Sequence, residues 1–205
     1  MNQKNIVWVL IVLVVLGSLL YTLSGGESPE QYRERIEEER ERQFKFLKFN
    51  ADSPLTGEQK SELDQLEFFP VDPVYKVKAR MVPAQNRRML ELPMTDGSVE
   101  RYIRHSFAEF ELEGRILRLL LLQAADEKDS RNFFLAFADA TSGDVTYGGG
   151  RYINLRQDGQ NSVTIDFNLA YNPYCAYNPD YACPLPPKEN VLDVPILAGE
   201  KNYIK

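Results

Sequence analysis

Histidine occurs once in these 205 residues, tryptophan once and cysteine twice, and each scarcity removes a class of function. A zinc site draws four ligands from cysteine and histidine at short characteristic spacings; none is present, so no metal is expected. Positive charge is also in deficit, with 24 Lys and Arg against 30 Asp and Glu and a net charge of −6. Nucleic acid and anionic membrane surfaces select the opposite balance, so neither is an expected partner. A phosphate-cradling loop has to run into a helix whose N-terminus meets the anion, and the one glycine run, Gly148-Gly149-Gly150, runs instead into the strand-like Arg151-Tyr152-Ile153-Asn154-Leu155. No cofactor is expected. Glycines in that setting mark a bulge or a close backbone approach.

What the chain does have begins at its N-terminus. Residues 6–16 contain no polar side chain, and Leu19, Leu20, Tyr21 and Leu23 carry the run past Gly17-Ser18. A span over residues 6–23 approaches the roughly 17–25 apolar residues that cross a bilayer and exceeds an ordinary signal-peptide core. A retained membrane anchor over residues 1–26 is therefore expected, with the membrane as a partner; Thr22-Leu23-Ser24 leaves cleavage as the alternative. No cysteine follows the run to accept a lipid. Lys4 precedes the span while Arg33, Arg35, Arg40 and Arg42 follow it, a bias toward a cytoplasmic C-terminal side. Against it, Cys175 and Cys183 sit close together in a proline-rich loop, where a disulfide suits an oxidising compartment. The expectation is a single-pass protein with an extracytoplasmic domain.

Past the anchor, Ser28-Pro29-Glu30-Gln31 reads as a capped helix start, followed by a charged helix with Glu38–Arg42 and Glu41–Lys45 pairs and a thin apolar stripe. Residues 27–50 are expected to form a solvated stalk. Thr56 with Gln59 caps a second short helix reaching about Leu66, and residues 51–205 form the globular domain. Then the period changes to two: Tyr75, Val77, Ala79 and Met81 alternate with charged residues, as do Ala108, Phe110 and Leu112. Turn signals at Asp96-Gly97, Glu113-Gly114, Ser142-Gly143 and Asp158-Gly159 separate the runs. Strands are expected near 75–82, 88–94, 99–105, 107–113, 115–123, 132–138, 144–147, 151–156, 162–168 and 191–197. Closely spaced hairpins without intervening helices define a mainly β fold, an antiparallel barrel or sandwich.

Four of the 11 tyrosines crowd residues 171–181, where Ala-Tyr-Asn-Pro occurs twice, and each Asn-Pro initiates a turn. Rigid tyrosine faces beside amide donors suit a polar or acidic small ligand or a glycan, so Arg151, Tyr171, Asn172, Tyr177 and Asn178 are the candidate ligand-binding residues. A guanidinium fork would clamp a carboxylate or phosphate. The alternative is a hydrolase or transferase with Asp166, Glu189 or Glu200 as general base beside Arg151; a third reading makes the block structural, in an envelope protein. A Cys175 nucleophile activated by His105 is disfavoured beside a second cysteine. Asp139-Ala140-Thr141-Ser142-Gly143-Asp144 reads as a turn, since alternating oxygen ligands for calcium are missing.

Several blocks together carry a resemblance: Ser53-Pro54-Leu55; Phe69-Pro70-Val71-Asp72-Pro73; Thr146-Tyr147-Gly148-Gly149-Gly150-Arg151-Tyr152; Asp166-Phe167-Asn168; Cys175-Ala176-Tyr177-Asn178; Cys183-Pro184-Leu185-Pro186-Pro187; Glu189-Asn190; and Ala198-Gly199-Glu200-Lys201. Over about residues 30–205 the chain resembles the uncharacterised family catalogued as domain of unknown function 1684. That resemblance implies membership, often behind a signal or anchor, and no established activity.

Overall fold

Alternating apolar residues from six of seven strands point into one barrel in the computed structural model, which describes residues 27–85 and 87–203. The strands are β1 (Lys76–Pro83), β2 (Met89–Pro93), β3 (Val99–Leu112), β4 (Arg115–Ala124), β5 (Asn132–Phe137), β6 (Arg151–Gly159) and β7 (Ser162–Asp166). Their order is β1-β7-β6-β5-β4-β3-β2, all pairs are antiparallel, and β1 also pairs with β3. Six strands thus close on themselves and β2 hangs on the outside of β3. Closure leaves no open edge among the six.

The period-two reading accounts for the core. Val77, Ala79, Ala108, Phe110, Leu119, Leu121, Leu135, Ile153, Val163 and Ile165 face inward together. Leu120 and Leu122 face outward and pack with Leu92, Tyr102 and Phe107 in a second cluster, which is why β4 reads as an unbroken apolar run rather than alternating. Glu113 (φ 50°) and Gly114 (φ 77°) make the two-residue turn between β3 and β4. The two strands expected at 99–105 and 107–113 are one strand, bulged where pairing shifts between Arg104 and Ser106.

Two expected strands are absent. Residues 144–147 form a turn in which Gly143 N donates to Thr146 O. Residues 191–197 do alternate, with Leu192, Val194 and Ile196 in the barrel core, yet they lie in no strand; they join the chain after β5 through a bridge, Ala138 to Val191, and through bonds from Leu192 N to Ala138 O and from Ala140 N to Val194 O.

The helices are α1 (Pro29–Phe49), α2 (Gly57–Glu62) and a one-turn α3 (Tyr174–Tyr177). Both capping boxes form: Ser28 Oγ accepts from Gln31 N at 3.2 Å, and Thr56 Oγ1 from Gln59 N at 3.2 Å. Lys45 meets Glu41 at 3.3 Å and Arg42 meets Glu38 at 3.8 Å, as their spacing requires. The chain divides into two compact units, up to Arg35 and from Ile36 onward. In the second unit α1 is no free stalk, because Leu47 packs with Leu55, Leu63 and Tyr177. α2 stops at Glu62, short of the expected Leu66, where Leu63 turns extended and is buried.

No helix among the described residues is long and apolar enough to cross a membrane. The span expected at residues 6–23 lies outside the described residues.

Candidate functional site

Tyr171, Asn172 and Tyr177, three of the five residues expected to bind ligand, line one groove of about 560 Å³. Its opposite wall is α1, contributing Glu39, Arg40, Arg42, Gln43 and Phe46, while Asn154 comes from β6 and Asn168 from the turn after β7. The α1 residues were not among the sequence candidates. Their signal was weak: Arg40 and Gln43 share the helical face of Ile36 and Leu47, polar residues in an apolar stripe. Two aromatic rings, Phe46 and Tyr174, stack at 6.3 Å beside the groove, and Asn154 Nδ2 donates to Tyr171 Oη at 2.9 Å.

Behind this wall lies a buried polar network centred on Glu200, which is 2% exposed. Oε1 accepts from the Tyr177 hydroxyl, and Oε2 from Gln43 Nε2 at 2.6 Å and Asn172 N at 2.9 Å. Burial raises the carboxyl pKa above its ordinary value, although all three donors pull it down. The same burial, with Glu200 alongside, pushes the Tyr177 phenol well up. Both oxygens are engaged by protein donors, so Glu200 holds the groove wall in place rather than offering a base to it. Asn172 completes the wall: Nδ2 donates to Lys201 O at 2.7 Å, whereas Oδ1 is buried with no hydrogen-bond partner among the described residues.

The other two expected ligand residues sit elsewhere. Asn178 does not line the groove; its Nδ2 donates to Pro54 O at 2.9 Å and its Oδ1 accepts from Asp180 N at 3.0 Å. Arg151 is at 0% exposure. It donates to Asp139 Oδ2 at 2.9 Å, Ile196 O at 3.0 Å, Glu200 O at 3.2 Å and Ala198 O at 2.5 Å. Those carbonyls belong to residues 196, 198 and 200, and the chain turns between the last two at Gly199 (φ 79°). The guanidinium thus satisfies three carbonyls of the chain end from Ile196 to Glu200, downstream of the backbone bonds that residues 190–194 make to Ala138 and Ala140. The charge is sealed, and the guanidinium presents no clamp to solvent. Asp139 is held in turn by Thr141 N at 2.9 Å and Ile196 N at 3.2 Å, inside the turn expected there.

Asp166 caps the turn after β7 through Asn168 N at 3.2 Å, and Glu189 pairs with Arg104 at 2.9 Å on another face. The three candidate bases therefore do not converge on one centre. Gly150 (φ 85°) explains the glycine run, since a Cβ there would lie 2.6 Å from Phe137 O and from Pro186 Cγ.

The expected Cys175–Cys183 disulfide is not formed; both cysteines are free. Cys183 Sγ accepts instead from Cys175 N at 3.1 Å. The Cys183 thiol hydrogen-bonds Cys175 and lowers its pKa to about 6, with help from the Tyr147 hydroxyl and against the effect of burial, while the same contact raises Cys183. His105, expected as a possible activator, contacts Ser106 and the Phe133 ring rather than either cysteine.

Fold and groove together define a closed antiparallel barrel whose C-terminal loop and first helix enclose a polar depression. Residues 61–201 match the model of a family described as a protein of unknown function, DUF1684, and the chain belongs to that family. A solution NMR structure of an uncharacterized protein from Haloarcula marismortui is 35% identical, with TM-score 0.65, covering 84% of this chain and 95% of the other. No curated protein matches.

Proposed function

We propose that the protein is a membrane-anchored binding domain whose α1-walled groove takes a polar ring-shaped ligand of the saccharide class. One observation carries the reading: the amide side chains of Gln43 and Asn154 and the Tyr171 and Tyr174 rings line one depression. Amide groups pair with hydroxyls and aromatic faces cover apolar ring edges, a combination that recognises sugars rather than charges. Anchoring rests on the apolar run at residues 6–23. With both thiols free, the disulfide argument for an outer location drops away. An outward-facing domain remains the proposal, to be decided by labelling.

The test is a carbohydrate array probed with the full chain in neutral detergent. Binding is expected, weakened roughly tenfold by Asn154→Ala through loss of a hydrogen-bond partner, with melting unchanged. No bound saccharide, or equal binding by Asn154→Ala and Tyr174→Ala, overturns the reading.

A further inference from the structure

A second depression, of about 470 Å³, lies on a different face, between the end of β1, the segment after it, β3, β4 and Glu189. Its lining holds three arginines, Arg88, Arg104 and Arg118, and one carboxylate, Glu189, in a chain whose net charge is −6. The carboxylate is taken by Arg104 at 2.9 Å. Arg118 stands opposite Glu109 across the β3–β4 pair, yet Glu109 turns to Arg80 at 2.7 Å. Neither Arg88 nor Arg118 has an ion pair among the described residues.

The bulge in β3 builds this site. Residues three apart in a regular strand point to opposite faces, so Arg104 and Phe107 would be divided between the core and the outside. The shift between Arg104 and Ser106 sets Arg104 opposite Leu122 and Phe107 opposite Leu120, both on the outer face. One inserted residue thereby brings Arg104 beside Phe107. The Arg118 guanidinium lies over the Phe107 ring, carbon to centroid 3.5 Å, a contact that uses none of its N–H donors in an ion pair.

We infer that this depression binds a phosphate group, with Arg88 and Arg118 as its donors and Arg104, oriented by Glu189, as the third wall. Two uncompensated guanidinia match the charge of a phosphomonoester, about −1.5 to −2 at neutral pH, and their planar forks match its oxygens. Phosphate of this kind is presented by a soluble metabolite or by a lipid headgroup.

The experiment uses the full chain with arginine side chains labelled with nitrogen-15, in neutral detergent micelles. Inorganic phosphate is titrated first; micelles doped with phosphatidic acid, whose headgroup is a phosphomonoester, are titrated separately. Saturable shifts of the Arg88 and Arg118 signals with inorganic phosphate support the site with a soluble ligand. Shifts with the doped micelles alone support it with a headgroup. Arg88→Gln and Arg118→Gln are each expected to weaken the response roughly tenfold, and Arg115→Gln, an exposed arginine paired with Asp193, to leave it unchanged. No shift with either titrant, or equal loss in the Arg115 variant, overturns the proposal.

Discussion

Arg151 and Arg118 carry the same guanidinium to opposite ends. Arg151 spends its donors on Asp139 and three backbone carbonyls at 0% exposure, whereas Arg118 rests on Phe107 at the surface. Arg151→Ala is expected to destabilise the fold by roughly 3–5 kcal/mol in chemical denaturation, because it strands the buried Asp139 carboxylate and opens three carbonyls. Unchanged stability with lost ligand affinity would instead make Arg151 a clamp. Nothing in the local sequence separates these cases: an arginine after a glycine run reads as exposed because buried charges are rare, and only its partners 45–49 residues away decide otherwise. Asn172 and Tyr171 were legible for the complementary reason, since tyrosines and Asn-Pro turns concentrated in one short stretch require a common surface.

At the level of elements, the weak point of the barrel is the junction of β4 and β5, where a single residue pair, Leu122 with Phe134, is in register. Asn190 stitches it. The side chain accepts from Leu120 N at 2.6 Å and donates to Leu120 O at 2.9 Å and Ala136 O at 2.8 Å, mimicking the missing rungs. Asn190→Ala should cost about 3 kcal/mol, since buried backbone groups on both strands lose their partner. Hydrogen exchange would locate the damage: amide protection is expected to fall at Leu120 first, and undiminished protection there would refute the stitch. The seven strands and both capping boxes followed from periodicity and local chemistry, including the break near residue 106 that proves to be a bulge, while the strands expected at 144–147 and 191–197 did not form. α1 did not. Its charges predicted a solvated stalk, but burial of a helix face depends on what packs against it, and α1 from Ile36 onward walls the groove.

For the whole molecule, the proposed anchoring makes one measurement decisive, the side of the membrane on which the domain would lie, and Cys175 is the residue to label. Its pKa of about 6 leaves it a thiolate at neutral pH, and it is half-buried beside the fully buried Cys183. An outward domain predicts that a membrane-impermeant maleimide labels Cys175 in intact cells without reductant, and that Cys175→Ser abolishes the label. Label that appears only after lysis would place the domain inside. The sequence by itself determined the class of fold, the family and the hydrophobic N-terminal run, because these rest on patterns within a few residues: period two, turn chemistry, caps and motif blocks. Tertiary structure alone decided that Arg151 is internal, that the cysteines stay free, that α1 lines a groove and that a bulge sets Arg104 on the same face as Phe107. Each of those depends on contacts between residues distant in the chain, whose burial and pairing no local pattern encodes.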